Sequence, residues 1–231
     1  MHCNVSIAMA TFNGQKHIEK QLESLSQQTL LPAELVVTDD GSTDNTFDIV
    51  QGFVDQLQFP VRLVKNDFRL GYGRNFLKAA SLCKAKYVAF CDQDDIWHTD
   101  KIALVNEIAK KDHHDLIVHG GKVVDESLIE LGESFPKVAD GQIELNLYSK
   151  MFFPGYAMTV KKDFLRKLDY QSRIIVEDKS FEHDLWICSS ILQAGTCYGI
   201  KKSLVSYRQH DSNTIGFSVL LNSERHATTK K

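Results

Sequence analysis

The stretch Tyr87-Val88-Ala89-Phe90-Cys91-Asp92-Gln93-Asp94-Asp95-Ile96-Trp97 joins an apolar run to three carboxylates within four residues. A short apolar run rich in β-branched and aromatic residues predicts a strand that is buried on both faces. The acidic residues follow directly, so they lie at the carboxyl end of that strand. The stretch therefore predicts a central strand that ends at a polar, ligand-binding edge of a sheet.

The sequence on the N-terminal side repeats the same pattern. Similar apolar runs occupy residues 5–8, 35–37 and 61–64, and apolar residues at helical spacing follow each strand. The corresponding helices are predicted to begin near residue 15, after residue 45, at residue 74 and near residue 101. Strand–helix alternation at this spacing indicates an α/β fold, with a mainly parallel sheet covered by helices on both faces.

The second half of the chain is less regular. Residues 126–150 are polar and are predicted to form a flexible connection. Strands are predicted at 156–160 and 204–208, with a helix at 184–192 between them. A single domain over residues 1–221 is expected, followed by a flexible polar tail at 222–231.

Composition excludes several classes of protein. The chain is 43% hydrophobic and 25% charged, with a net charge of −3, which argues against a nucleic-acid partner. Its five cysteines are an odd number without a C-x-x-C pair, so a reducing cytoplasm is expected rather than a disulfide framework or structural zinc. No signal-peptide pattern opens the sequence, and no apolar run approaches the ~20 residues of a membrane-spanning helix.

Polar clusters follow three of the predicted strands, at residues 11–14, 39–42 and 92–95. In open parallel sheets, ligands bind at the carboxyl ends of the strands. Three carboxylates within the last cluster repel one another, and hard divalent ions such as Mg²⁺ or Mn²⁺ prefer oxygen ligands. The alternative is a solvated acidic turn that caps the next helix; the apolar residues on both sides favour the metal.

The acidic cluster at residues 39–44 resembles the start of a calcium loop but lacks the glutamate at the twelfth position. An acidic side chain here is expected to accept hydrogen bonds from a base or a ribose. Ser42, Thr43 or Asp44 can cap the following helix at the same time, because different residues do each job.

Taken in order, these motifs resemble the inverting glycosyltransferases of family 2, which have the GT-A fold. The resemblance covers nearly the whole chain. The sequence around Asn66-Asp67-Phe68 and around Asp92-Gln93-Asp94-Asp95 is most similar to bacterial rhamnosyltransferase-like members, which build surface polysaccharides. The resemblance rests on the segments Ala10-Thr11-Phe12-Asn13-Gly14, Val37-Thr38-Asp39-Asp40-Gly41-Ser42-Thr43-Asp44, Gly71-Tyr72-Gly73-Arg74-Asn75-Phe76, Phe90-Cys91-Asp92-Gln93-Asp94-Asp95-Ile96-Trp97, Glu182-His183-Asp184-Leu185-Trp186 and Tyr207-Arg208-Gln209-His210.

The resemblance implies a donor half at about residues 1–125 and an acceptor half at about 126–221. In the donor half, Asp40 would hold a pyrimidine through its N3–H, and Arg74 would meet the nucleotide or its diphosphate. The nucleotide-binding residues implied in this way are Thr11, Phe12, Asn13, Asp40, Arg74 and Asp92. The metal ligands implied are Asp94, with Asp92, Asp95 and His210 as further candidates, for Mg²⁺ or Mn²⁺.

In the acceptor half, the resemblance makes Asp184 the catalytic base that deprotonates the acceptor hydroxyl. Gly155, Tyr156 and His183 are expected at the acceptor site, although a tight turn at Gly155 and a plain surface position for His183 are the alternatives. The alternative for Asp184 is an acidic residue at a helix N-terminus, where the helix dipole favours negative charge. That position is compatible with catalysis, because side chains at helix ends lie at cleft edges.

The function expected is transfer of a sugar from a UDP- or dTDP-sugar to a saccharide or a lipid-linked saccharide, with rhamnosyl transfer as one option. The enzyme is expected in the cytoplasm, with contact to the inner face of the cell membrane left open. Two other classes compete with this interpretation. They are a non-catalytic sugar-nucleotide-binding module and a sugar-1-phosphate nucleotidyltransferase, for which the loop after the first strand is a poor match.

Overall fold

A computed structural model describes residues 3–132, 134–144, 152–168 and 182–210. The predicted tail at 222–231 lies outside the described residues, as does part of the predicted connection at 126–150. Within the described part of the chain, no helix combines the length and the apolar character that crossing a bilayer requires.

Strands and helices alternate through the first half, as the sequence predicts. In chain order the elements are β1 (Val5–Thr11), α1 (Ile18–Ser26), β2 (Glu34–Asp39), α2 (Thr46–Phe53), β3 (Val61–Lys65), α3 (Tyr72–Leu82), β4 (Tyr87–Cys91), β5 (Ile96–Trp97), α4 (Lys101–Ala109), β6 (Leu116–Val124), β7 (Gly141–Ile143), β8 (Met158–Lys161), α5 (Lys162–Lys167), α6 (His183–Ala194) and β9 (Cys197–Arg208).

These strands form a single mixed sheet in the order β3-β2-β1-β4-β8-β6-β9-β5, and β7 pairs with β9. The pairs β3/β2, β2/β1, β1/β4 and β6/β9 are parallel, whereas β8 runs antiparallel to both of its neighbours, β4 and β6. The carboxyl ends of β1, β2, β4, β6 and β9 therefore lie at one edge of the sheet. The start of β8 lies at that same edge because its direction is reversed.

Alternating residues of the central strands feed two cores. Ile7 and Met9 of β1 pack with apolar side chains of α1, α2 and α4 on one face. Ala8 and Ala10 face the opposite side and pack with apolar side chains of α3, α5 and α6. Every residue of β1, β2 and β4 is buried, which matches the continuous apolar runs from which these strands were predicted.

The second half contains more strand than the sequence pattern predicts. The predicted strand at 204–208 is the end of the twelve-residue β9, and β6 was not predicted. Gly120 and Gly121 interrupt the apolar run of β6, and the register with β9 shifts at this place. The segment predicted as a strand at 156–160 begins with a 3-10 turn, Gly155–Ala157, and becomes a strand only at Met158.

Candidate active site

A cavity of about 800 Å³ opens at the edge where the parallel strands end. It collects most of the residues that the sequence singles out, from both halves of the chain. The predicted residues that line it are Thr11, Phe12, Asn13, Asp40, Asp92, Asp94, Gly155, Tyr156, His183, Asp184 and His210.

Two predicted residues, Arg74 and Asp95, do not line the cavity. Arg74 lies in the first turn of α3 with its side chain exposed, whereas its neighbours Gly73 and Asn75 are buried. Asp95 is fully buried, and its Oδ1 accepts a hydrogen bond from the backbone N–H of Arg208 at 3.0 Å. Of the predicted site residues, these two thus lie outside the cavity lining: Arg74 faces solvent, and Asp95 lies inside the protein.

The cationic side chains that do line the cavity are Arg69 and Lys16. The Arg69 guanidinium lies over the ring of Phe12, 4.0 Å from its centre, in a cation–π contact. Lys16 forms an exposed ion pair with Glu126. Arg69 precedes Gly71 in the exposed loop before α3, and nothing in its sequence context separates it from an ordinary surface arginine.

Asp40 anchors the loop that carries Arg69. Its Oδ1 accepts hydrogen bonds from Asn66 Nδ2 at 2.9 Å and from the Leu70 amide at 2.7 Å, and its Oδ2 accepts one from the Gly71 amide at 2.8 Å. A carboxylate offers about four lone-pair sites, so one site is left for a ligand. Asp40 can therefore hold the loop and a base N–H together.

Gln93 fixes the loop after β1 through a pair of hydrogen bonds. Its side-chain Oε1 accepts from the Phe12 amide at 3.0 Å, and its Nε2 donates to the Phe12 carbonyl at 3.0 Å. Gly14 makes room for this side chain, because a Cβ there would lie 2.3 Å from Gln93 Oε1. Gln93 thus engages both backbone groups of Phe12, while the Arg69 guanidinium lies over one face of its ring.

His210 is brought into the cavity by β9, which runs parallel to β6 and ends at the same edge. Its Nε2 lies 3.0 Å from Asp94 Oδ2, and its ring stacks on that of His17 with centres 4.8 Å apart. Asp94 and His210 thus lie side by side in the cavity lining. His17 was not predicted, and its position before α1 gives no signal in the sequence.

The acidic groups fit a divalent ion that is also bound by a ligand. Within the described ranges, no group of three or more His, Cys, Asp or Glu side chains is arranged to hold an ion alone. Magnesium sites that include substrate phosphates commonly use only one or two carboxylates. Burial, together with the charges of Asp94 and Asp184, raises the pKa of Asp92 to about 8, so a cation beside these groups would relieve their repulsion.

Asp184 lies at the start of α6, nearly buried in the cavity wall. Burial raises the pKa of its carboxyl to about 6, and hydrogen bonds from the Leu185 and Gly155 backbone amides partly oppose this. A carboxylate with a pKa near 6 is a stronger base than an ordinary aspartate and is still ionised at neutral pH. The site therefore suits Asp184 for accepting a proton.

His183 is enclosed by aromatic rings. It stacks on Phe76 with ring centres 4.4 Å apart and meets the edges of Phe90 and Tyr72. Burial lowers its pKa to about 3, so the imidazole is neutral. Neither ring nitrogen has a hydrogen-bond partner among the described residues. His183 is thus an element of the cavity wall and not a plain surface residue.

The 3-10 turn Gly155–Ala157 contributes Gly155 and Tyr156 to the cavity lining. Tyr156 is 1% exposed; its hydroxyl donates to the Phe135 carbonyl at 2.6 Å, and its ring stacks on Tyr207. That hydroxyl is therefore committed to the protein. Gly155 approaches His183 so closely that a Cβ would lie 2.8 Å from its Nε2, which explains the glycine.

The geometry agrees with comparisons to known proteins. The family model described as Glycosyl transferase family 2 matches residues 6–168. The chain is 29% identical over 227 residues to the dTDP-rhamnosyl transferase RfbG of Shigella flexneri, covering 91% of this chain and 74% of that protein. It is 35% identical over 99 residues to the Escherichia coli glucosyltransferase WfaP, covering 43% of this chain and 38% of that protein.

Solved structures confirm the predicted fold class. The structure of S. aureus TarS 1–349 in complex with UDP superposes with a TM-score of 0.73 at 23% identity, covering 89% of this chain and 60% of that one. The chain therefore spans about three-fifths of the TarS structure. At this identity the likeness shows the shared GT-A fold, with its mostly parallel sheet between helices.

Alanine substitution of Arg69 and, separately, of Arg74 tests which of the two arginines contacts the nucleotide. We expect Arg69→Ala to weaken binding of UDP or dTDP by about tenfold, since a guanidinium in the cavity wall is lost. Arg74→Ala, the matched control on the solvent side, should change the affinity by less than about twofold. Isothermal titration calorimetry measures both, and a larger loss in Arg74→Ala would contradict the placement.

Proposed function

The chain belongs to glycosyl transferase family 2, and from that premise we propose that it transfers a sugar, with inversion, from a UDP- or dTDP-sugar to an acceptor hydroxyl. One observation carries the proposal: Asp40, Asp94 and Asp184, which are far apart in sequence, line the same cavity. Together they supply a contact for the base, a ligand for a cation and a proton acceptor.

The donor nucleotide would lie along the ends of β1, β2 and β4. Asp40 has one lone-pair site left for the pyrimidine N3–H, and the Phe12 ring offers a stacking face once the Arg69 guanidinium moves off it. Thr11, Asn13 and Asp92 line the same part of the cavity. Uracil and thymine present the same N3–H edge, so both nucleotides fit this contact. Rhamnosyl transfer from a dTDP-sugar is the variant that the similarity to RfbG favours.

The diphosphate would lie beside Asp94 and His210, where these side chains would hold Mg²⁺ or Mn²⁺ together with phosphate oxygens. Such an ion, when bound, stabilises the negative charge that develops on the departing diphosphate. Arg69 and Lys16 add positive charge at the same wall, which further favours a departing anion.

The transfer itself needs a base on the side of the cavity opposite the nucleotide loops. Asp184 would remove the proton from the acceptor hydroxyl while its oxygen attacks the anomeric carbon, and the bond to the diphosphate breaks in the same displacement. Attack from the face opposite the leaving group inverts the configuration. The neutral ring of His183 and the turn at Gly155 and Tyr156 would shape the acceptor site beside it.

We place this reaction in the cytoplasm, because all five cysteines are free and buried, as a reducing compartment favours. A saccharide or a lipid-linked saccharide is the acceptor that fits the cavity, with synthesis of a bacterial surface polysaccharide as its context. A lipid-linked acceptor would bring the enzyme to the inner face of the membrane. Family membership argues against a nucleotidyltransferase.

The base assignment predicts that Asp184→Asn abolishes transfer while nucleotide binding stays nearly intact. Asparagine keeps the shape of the side chain but cannot accept the proton, so kcat should fall by at least about 100-fold. The dissociation constant of UDP or dTDP with Mn²⁺ should change by less than about threefold. Unchanged turnover would remove the base assignment. Absence of both transfer and slow donor hydrolysis in the wild type would instead favour a non-catalytic module.

The raised pKa of Asp184 predicts the pH dependence. The base acts only when ionised, and a carboxylate is ionised above its pKa, so kcat should rise with pH to a plateau with a midpoint near 6. An ordinary aspartate would place the midpoint near about 4. Turnover at saturating donor, acceptor and Mn²⁺, followed from about pH 4 to about pH 8, measures this midpoint. A midpoint near 4 would contradict the buried base.

A further inference from the structure

A lysine that the proposed mechanism does not use lies behind the cavity. Lys101 opens α4 with none of its surface exposed, and its ammonium lies 3.5 Å from the centre of the Trp97 ring. Taking an ammonium out of water is unfavourable unless partners replace its hydration. The partners of Lys101 therefore indicate what the side chain does.

Those partners connect the acidic turn after β4 to the cavity wall. The ring face of Trp97 and the carboxylates of Asp92 and Asp95 attract the ammonium. Lys101 Nζ donates a hydrogen bond at 2.9 Å to the backbone carbonyl of Tyr156. Lys101, at the start of α4, thus connects the acidic turn after β4 to the turn Gly155–Ala157.

That turn leads directly to the proposed base. Gly155 comes one residue before Tyr156; both line the cavity together with Asp184, and the Gly155 backbone amide favours the ionised form of the Asp184 carboxyl. Gly155 also packs against the His183 ring so closely that a Cβ on residue 155 would lie 2.8 Å from His183 Nε2. A small displacement of the turn would therefore move both the amide that contacts Asp184 and the wall beside it.

We propose that Lys101 is a positioning residue for the transfer step, which holds the turn Gly155–Ala157 where the Gly155 amide meets Asp184. This inference rests on the proposed role of Asp184 as the base. The hydrogen bond from Lys101 goes to the acceptor-side turn and not to Asp40 or Phe12, which are proposed to bind the pyrimidine. Because this hydrogen bond goes to the acceptor-side turn, its loss is expected to lower turnover more than donor affinity.

The test is Lys101→Met in the full chain, which removes the ammonium and keeps most of the side-chain length. We expect kcat to fall by about 10- to 100-fold, the effect of a misplacement of about 1 Å at a catalytic group. The dissociation constant of UDP or dTDP with Mn²⁺ and the KM of the donor should change by less than about threefold. Equal losses of turnover and nucleotide affinity, or unchanged kcat, would overturn the proposal.

A matched control separates positioning from a general loss of stability. Asn106 lies on the same helix and is 1% exposed. Its Oδ1 accepts a hydrogen bond from the Asn4 backbone amide, a contact that does not involve the turn Gly155–Ala157. Asn106→Ala should lower the melting temperature yet leave kcat within about twofold of the wild type. A loss of kcat in Asn106→Ala as large as in Lys101→Met would overturn the positioning role.

Two further variants keep the outcome decisive. If Lys101→Met does not fold, Lys101→Leu takes its place, because it also removes the hydrogen bond to the Tyr156 carbonyl; wild-type kcat in that folded variant overturns the proposal, and a selective loss of kcat supports it. Asp184→Asn is measured in parallel. Full activity of Asp184→Asn removes the base itself, whereas loss there combined with unchanged Lys101→Met turnover removes only the positioning role.

Discussion

Three carboxylates within four residues repel one another in the half-buried turn after β4, and burial together with the charges of Asp94 and Asp184 raises the pKa of Asp92 to about 8. Behind the turn, Asp95 is fully buried and accepts the Arg208 backbone amide. Toward the cavity, Asp92 and Asp94 are left beside Asp184. The proposed cation and the diphosphate that it binds belong in this place.

The same turn organises the rest of the site. Gln93, between two of the carboxylates, holds the Phe12 backbone and so fixes the loop after β1. Arg208 donates from Nε to the Asp94 carbonyl at 2.8 Å, which ties the end of β9, and with it His210, to the turn. Groups from β1, β4 and β9 are thus positioned by one short segment. The acceptor side joins it through Lys101 and the turn at Gly155.

The sequence predicted the strands and helices of the first half of the chain better than those of the second, for a physical reason. Strands such as β1 and β4 are buried on both faces and appear as unbroken apolar runs, and their polar ends necessarily meet at one edge. β6 is interrupted by Gly120 and Gly121, so its pattern is lost although its pairing is not. The proposed roles of Lys101 and Arg69 depend on the contacts of their side chains, with the Tyr156 carbonyl and with the Phe12 ring respectively. A single sequence does not indicate such contacts.

Asp94 and His210 are proposed to bind a divalent ion together with the nucleotide. Calorimetric titration of UDP and of dTDP into the wild type, with Mn²⁺ and with a chelator, measures this coupling, and Asp94→Ala serves as the comparison. We expect affinity at least about tenfold higher with Mn²⁺ in the wild type and no such gain in Asp94→Ala. Equal affinity with and without metal in the wild type would contradict it.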